Sequence, residues 1–216
     1  MKNVVFIHIP RTGGGTFKDI LEAWFGQENF YSERSGETER QVAGIQPGNP
    51  YVPVAQHKKV IHGHFAFHPS YKDRLLCTFI RNPVDWTISR WAYHMKFSNK
   101  PMSVIDLMNM GFVNIQSKYL KGSTLDDFKF IGITDRYIES MKVWEKIAPE
   151  SPFTRWRNVD WDKVMAHQKD THEGNFKNAS NRAVYTVTDE IKTMIRERNK
   201  EDMILYENAV KRLNEG

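Results

Sequence analysis

The opening of the chain changes its residue pattern twice within 25 residues, and this change is the strongest constraint on the fold. Residues 4–9 (VVFIHI) are apolar with almost no alternation, which is typical of a strand buried in a parallel sheet. Three glycines follow at positions 13–15. Beyond them, apolar residues recur at helical intervals, at Phe17, Ile20, Leu21, Trp24 and Phe25. The sequence therefore predicts a strand, a tight turn and a helix.

Similar units recur along the chain. Apolar stretches at 58–67 (KKVIHGHFAF), 74–83 (RLLCTFIRNP) and 128–134 (FKFIGIT) predict three more strands. Amphipathic patterns predict helices over 83–97 and 135–147, and one or two helices over 189–213. Strands that alternate with helices predict an α/β fold, with a mostly parallel central sheet flanked by helices. Residues 26–56 are polar and predict a long loop or mobile flap.

Length and composition narrow the class of protein. The 216 residues suit one domain, spanning 1–216, and the net charge of +5 favours anionic ligands. We expect no nucleic-acid partner, because no cluster of lysines and arginines resembles a nucleic-acid-binding arm. We expect no membrane span, because no window reaches the roughly 18–20 apolar residues that one needs. The short first apolar run is unlike a signal peptide, so a cytoplasmic location is predicted.

The glycine-rich turn is suited to an anion. Glycines 13–15 let main-chain N–H groups approach a ligand, and the following helix start adds a positive dipole end. Arg11 adds a charge, and Thr12 and Thr16 add hydroxyl groups. The alternative interpretation is a plain strand-to-helix connection that is rich in glycine. A Walker-type loop is disfavoured because no lysine precedes Thr16.

A second anion motif follows the predicted strand at 74–83. Arg81 lies at the carboxyl end of this strand, the edge where open α/β sheets bind ligands. Asn82 is a good N-cap and Pro83 a good first helical residue, so a helix should begin there. Ser89 lies eight residues after Arg81, nearly two turns into that helix. A guanidinium and a hydroxyl can together bind a second phosphate.

The histidines around position 64 leave more than one interpretation open. His62, His64 and His68 could form a metal site, since alternate residues of a strand share a face. No cysteine or carboxylate lies nearby to complete such a site, so we expect no metal. His8 lies within the first apolar run and is expected to be a hydrogen-bonded core residue. Cys77 lies in LLCTFI and is expected to be a buried, inert thiol.

Both anion motifs resemble segments of a known enzyme family. HIPRTGGGTF (8–17) is similar to the PKTGGTS loop of sulfotransferases that use 3′-phosphoadenosine 5′-phosphosulfate (PAPS). FIRNPVDWTISRWAYH (79–94) is similar to their RDPxxRxxSxY segment. IHGHFAF (61–67) resembles the HGH segment of the heparan sulfate 2-O-sulfotransferase-like and small bacterial branch. Residues 130–146 and 178–213 resemble the VGxTExxxxSLxLL segment and the C-terminal ending of that branch, so the similarity is colinear over most of the chain.

The resemblance implies a function and roles for particular residues. It implies transfer of a sulfuryl group from PAPS to a hydroxyl acceptor, with a saccharide as one candidate, and no metal. His64 would be the catalytic base. Arg81 and Ser89 would bind the 3′-phosphate of the nucleotide. The P-loop-like first loop would bind the 5′-phosphosulfate, and Arg11 would also be catalytic. This loop comprises Arg11, Thr12, Gly13, Gly14, Gly15, Thr16 and Phe17.

The chain also departs from the family pattern. Arg11 replaces a lysine, Gly15 stands where threonine is common, and Asp85-Trp86 replaces Glu-Arg. A planar guanidinium does not aim its charge as an ammonium does, and Gly15 removes a hydroxyl donor. Two alternatives therefore remain: a nucleotide or nucleoside kinase-like P-loop enzyme, and a catalytically inactive nucleotide-binding module.

Overall fold

A parallel sheet forms the centre of the molecule. The computed structural model describes residues 3–33, 41, 44, 57–97, 102–149, 175–177 and 184–215. The strands of the central sheet are β1 (Val4–Ile7), β2 (Phe30–Glu33), β3 (Val60–Gly63), β4 (Leu75–Ile80) and β5 (Phe130–Ile133). All four neighbouring pairs are parallel, in the order β2-β3-β1-β4-β5. A separate antiparallel pair consists of β6 (Asn175–Lys177) and β7 (Val184–Thr186).

Helices cover both faces of the central sheet, so the predicted α/β fold is confirmed. They are α1 (Gly14–Phe25), α2 (Pro83–Phe97), α3 (Val104–Asn109), α4 (Ile115–Tyr119), α5 (Tyr137–Ile147), α6 (Asp189–Arg198) and α7 (Lys200–Glu215). No helix in these described ranges has both the length and the apolar character that a bilayer crossing needs.

Alternation along the strands divides the core into two clusters. Val4 and Phe6 point to the face covered by α1 and α5, where Phe17 and Trp144 pack against them. Val5 and Ile7 point to the opposite face. There the core is completed by side chains from α2, α3, α4, α6 and α7. Strand β1 is thus buried on both faces, which explains why residues 4–9 show no polar alternation.

The strand order creates a crevice between β1 and β4. The chain leaves β1 toward β2 on one side of the sheet, and leaves β4 toward β5 on the other side. Adjacent strands whose connections diverge in this way open a space at their carboxyl ends, where ligands of open α/β sheets bind. The glycine turn follows β1 and Arg81 follows β4, so both predicted anion motifs lie at this crevice.

Three regions differ from the sequence prediction. The predicted loop over 26–56 contains strand β2, which pairs with β3 from Phe30↔Val60 to Glu33↔Gly63. Positions 34–40, 42–43 and 45–56 of the predicted loop lie outside the described residues. The segment after α2, where no helix or strand was predicted, contains the short helices α3 and α4. Helix α1 begins at Gly14, within the three glycines rather than beyond them. The short elements β2, α3 and α4 depend on strand pairing and on helix caps rather than on a periodic apolar pattern.

Candidate functional site

The turn after β1 contains two residues in the left-handed region of the backbone. Arg11 and Gly13 both have left-handed φ angles, 68° and 79°. Such alternation turns successive N–H groups toward one side of the chain, where an anion can bind. Arg11 is unusual in this region, since a non-glycine residue there is strained by about 1–3 kcal/mol. The turn therefore holds one non-glycine residue in a strained backbone conformation.

Hydrogen bonds from buried hydroxyl groups hold this turn in shape. The Thr12 hydroxyl donates to the Ile9 carbonyl at 2.7 Å. The Thr134 hydroxyl, just after β5, donates to the Thr12 carbonyl at 2.6 Å. Thr12 is fully buried. Its hydroxyl therefore supports the turn, rather than facing a ligand as the sequence prediction assumed.

Helix α1 presents its N-terminal end at the turn. A helix leaves its first-turn N–H groups, here those of Gly14, Gly15 and Thr16, without partners within the helix, and its dipole favours an anion there. The first turn of α1 carries no acidic side chain that would compete. Phe17 differs from the other predicted loop residues, because its ring is fully buried and packs against Phe130. Its main-chain N–H is at the helix position that pairs with the Gly13 carbonyl, so this N–H does not face a ligand.

Arg11, Arg81 and Ser89 lie together, although they come from different motifs. The Arg81 Nη1–H donates to the Arg11 carbonyl at 3.0 Å, which ties the end of β4 to the glycine turn. The Arg11 Nε–H donates to the Ser89 hydroxyl on α2 at 3.1 Å. The Arg11 guanidinium carbon also lies 5.1 Å from the ring centroid of Tyr93. The two predicted anion motifs are therefore adjacent and interlocked.

Arg81 is a buried charge at the base of the crevice. It is 6% exposed. Burial is the main cause that lowers the pKa of Arg81 from its ordinary value to about 10. The opposite charges of Asp85 and Asp135 raise this pKa, and the like charge of Arg11 lowers it. The guanidinium is still charged at neutral pH. A buried cation near a second cation favours an anionic ligand, because that ligand would relieve their repulsion.

The backbone of Arg81 is fixed by the side chain of Gln116 on α4. The Arg81 N–H donates to Gln116 Oε1, and Gln116 Nε2–H donates to the Arg81 carbonyl, both at 2.8 Å. Trp86 contributes from the other side, since its indole Nε1–H donates to the Pro10 carbonyl at 2.7 Å. Gln116, Trp86 and Thr134 were not predicted as site residues. Thr134 could have been found from sequence, because it is a polar residue directly after a strand. Gln116 lies on a short helix and has no such signal in the sequence.

His64 lies at the same sheet edge, directly after β3. The main-chain N–H of His64 donates to the Glu33 carbonyl at 3.0 Å, and the His64 side chain is half-buried. The His8 ring meets the His64 ring edge to face, with centroids 5.0 Å apart. A Cβ placed on Gly14 would lie 2.8 Å from His8 Nε2. His8 therefore bridges His64 and the start of α1.

The remaining histidines have other roles. His62 is fully buried and pairs with His8, so His8 is a hydrogen-bonded core residue, as predicted. His68 pairs with Ser70. Among the described residues, no group of three or more His, Cys, Asp or Glu side chains is arranged to hold a metal ion. Cys77 is buried as expected, and burial raises the pKa of its thiol well above 9.0, so the thiol is unreactive near neutral pH.

Comparison of the sequence with protein-family models finds no match, and neither does comparison with curated proteins.

Proposed function

We propose that the protein is a sulfotransferase that moves a sulfuryl group from PAPS to a hydroxyl acceptor, with a saccharide as one candidate. The observation that supports it most is the pairing of two cationic, anion-suited positions at one switch point of a parallel sheet. Arg11 and the start of α1 follow β1, while Arg81 follows β4, and the Arg81 Nη1–Arg11 carbonyl distance is 3.0 Å. A nucleotide with acidic groups at both its 3′ and 5′ positions fits two such neighbouring sites.

In this proposal the loop binds the 5′ end of the nucleotide. The main-chain N–H groups of Gly14 to Thr16 and the guanidinium of Arg11 contact the phosphosulfate. Arg81 and Ser89 contact the 3′-phosphate. The Arg11–Ser89 hydrogen bond joins the two binding regions, so nucleotide binding would redistribute the donors of Arg11 between Ser89 and the phosphosulfate.

The reaction is an in-line displacement at sulfur. The acceptor oxygen forms a bond to sulfur as the bond from sulfur to the departing phosphate oxygen breaks, and His64 takes the proton of the acceptor hydroxyl. The product nucleotide is 3′-phosphoadenosine 5′-phosphate (PAP). Arg11 and the N–H groups of α1 stabilise the negative charge that develops on the departing phosphate.

The experiment is calorimetric titration with PAP and, separately, with ATP and magnesium, followed by transfer assays with labelled PAPS and a panel of hydroxyl acceptors. We expect PAP to bind tightly, ATP–magnesium to bind weakly, and label to appear on at least one acceptor. Preference for ATP–magnesium would favour a kinase-like enzyme instead. PAP binding without transfer to any acceptor would favour an inactive nucleotide-binding module.

His64→Ala tests the assignment of the base. General base catalysis contributes roughly 10²–10⁴-fold, so kcat should fall on that scale while PAP affinity stays unchanged. His68→Ala is the matched control, because His68 lies four residues along the chain and its Nδ1 lies 2.8 Å from the Ser70 hydroxyl. Near-normal turnover of His64→Ala would remove His64 from this role.

A further inference from the structure

A single buried hydroxyl joins the carboxyl ends of three neighbouring strands. Thr134 directly follows β5, and its Oγ1 lies 2.6 Å from the Thr12 carbonyl oxygen and 3.2 Å from the Ile80 carbonyl oxygen. Thr12 belongs to the turn after β1, and Ile80 is the last residue of β4. A hydroxyl carries one proton, so Thr134 donates it to both carbonyls in a three-centre hydrogen bond. The ends of β1, β4 and β5 are therefore linked at one atom.

The two carbonyls lie next to the two cations of the proposed nucleotide site. Thr12 directly follows Arg11, and Ile80 directly precedes Arg81. The charge of Arg11 lowers the pKa of Arg81, so the two cations repel each other. Thr134 is 2% exposed, and its hydrogen bond is strong because water does not compete for it. This hydrogen bond therefore holds the two strand ends together against the repulsion of their cations.

The methyl group of Thr134 restrains the glycine turn from the same side. A Cβ on Gly13 would lie 3.2 Å from Thr134 Cγ2 and 3.9 Å from its Oγ1. Gly13 has a left-handed φ of 79° and immediately precedes α1. The side chain of Thr134 thus contacts the turn through its hydroxyl and its methyl group.

We propose that Thr134 is a positioning residue that sets the separation of the two anion-binding positions and thereby selects a nucleotide with acidic groups at both its 3′ and 5′ ends. The inference rests on the proposed sulfuryl transfer from PAPS, whose product PAP is such a nucleotide. Two linked groups bind more tightly than either one alone only when both sites lie at the separation that the ligand spans. Thr134 acts on this separation through the main chain next to Arg11 and Arg81.

Thr134→Val replaces the hydroxyl with a methyl group of similar size. A C–H group approaches a carbonyl oxygen with a carbon–oxygen distance of about 3.3–3.6 Å. The Thr12 carbonyl must therefore move away from its present distance of 2.6 Å. The turn after β1 then shifts relative to the end of β4, while each anion-binding position keeps its own donors.

Calorimetric titration with PAP, adenosine 5′-phosphate and adenosine 3′-phosphate measures the two positions together and separately. We expect Thr134→Val to bind PAP about tenfold more weakly than wild type, which is the gain expected from a second charged hydrogen bond. Each monophosphate uses one position only, so its affinity should change by no more than about twofold. Thr134→Ser keeps the hydroxyl and should keep the wild-type preference for PAP.

Thr78→Val is the matched control. The Thr78 hydroxyl on β4 donates to the Ile7 carbonyl on β1 at 3.0 Å, and Thr78 is fully buried. This variant therefore loses a buried hydroxyl between the same two strands, but within the sheet rather than at the turn. It should be less stable than wild type and should keep the preference for PAP.

An undiminished preference for PAP in Thr134→Val would overturn the inference. An equal loss of affinity for all three nucleotides, or the same loss of preference in Thr78→Val, would overturn it as well, because general distortion of the fold has these effects. If Thr134→Val does not fold, Thr134→Ala removes the same hydroxyl without adding a methyl group, and the same outcomes decide. Equal affinity of the wild-type protein for PAP and both monophosphates would instead be a failure of the proposed function, and the inference would fall with it.

Discussion

At the scale of single residues, Gly14 and Gly15 are neighbours with opposite surroundings. A Cβ on Gly14 would lie 2.5 Å from His8 Cδ2 and 2.7 Å from Phe6 Cζ, both in rings that the core holds in place. A Cβ on Gly15 would meet nothing within 4 Å. Of these two residues, only Gly14 needs to be glycine for steric reasons.

Gly14→Ala and Gly15→Ala should change stability in opposite directions. Gly14→Ala overpacks the core under the loop and should destabilise the fold by about 1–3 kcal/mol. Gly15→Ala reduces the flexibility of the unfolded chain at a helical position and should stabilise the fold by about 0.4–1 kcal/mol. Urea denaturation of both variants measures the two free energies of unfolding, and equal effects would contradict the packing described for Gly14.

The same comparison extends to ligand binding. Gly15→Thr has room for its side chain and places a hydroxyl at the first turn of α1, so it should raise PAP affinity. The positions of Arg81 at a strand end and of Ser89 on the following helix were predictable, because a strand end and helical spacing are local signals. The hydrogen bond from Arg11 to Ser89 was not, because it joins side chains 78 residues apart.

At the scale of elements, the short helix α4 connects the C-terminal helix α7 to the end of β4. The Asp202 carboxylate of α7 accepts hydrogen bonds from the N–H groups of Gln116 and Ser117, at 3.1 and 2.7 Å, and from the Ser117 hydroxyl at 2.7 Å. Gln116 in turn binds both main-chain groups of Arg81. Helix α7 therefore fixes the position of Arg81 through α4.

Gln116→Ala should weaken nucleotide binding without touching the nucleotide. It leaves the buried N–H and carbonyl of Arg81 without their side-chain partners, which costs about 1–3 kcal/mol for a buried group and lets Arg81 move. We expect lower PAP affinity in calorimetry, together with lower stability. Gln116→Glu is the intermediate case, because it keeps the acceptor for the Arg81 N–H but loses the donor to the carbonyl. Unchanged PAP affinity in Gln116→Ala would separate α4 from the site.

Asp202 should make stability depend on pH. Burial raises the pKa of Asp202 above 3.8, against the hydrogen bonds from Ser117 and Gln116. The folded protein therefore holds this proton more tightly than the unfolded chain. The contribution is complete below pH 3.8 and is lost as the pH rises through the raised pKa. Asp202→Asn does not titrate, so the wild-type free energy of unfolding, minus that of the variant, should fall with pH across this window.

Urea denaturation at several pH values from about 3.5 to 7 measures this difference. A difference that rises with pH would contradict the direction of the pKa shift of Asp202.

The network of Asp202, Gln116 and Arg81 was not predictable from sequence, since Asp202 lies 86 residues from Gln116 and α4 is only five residues long. Strand β2 was not predicted for a similar reason. Its four residues form a strand because they pair with β3, and they do not have the apolar pattern of a buried strand.

At the scale of the whole molecule, strand order decides what the motifs can do. The sequence predicted four of the five strands of the central sheet and the N-cap of α2, because each depends on local signals. Strand order depends on long-range packing and could not be read from spacing. The order places β1 beside β4, so that the glycine turn and Arg81 share one crevice.

The central claim is that this crevice binds one nucleotide through acidic groups at both ends. Calorimetric titration of wild-type protein and Arg81→Gln with PAP and with adenosine 5′-phosphate, which lacks the 3′-phosphate, tests it most directly. Wild-type protein should prefer PAP by about tenfold or more, since a hydrogen bond to a charged group contributes about 1.5–3 kcal/mol, and Arg81→Gln should lose most of that preference. Equal wild-type affinity for the two nucleotides, or an undiminished preference in Arg81→Gln, would contradict the account.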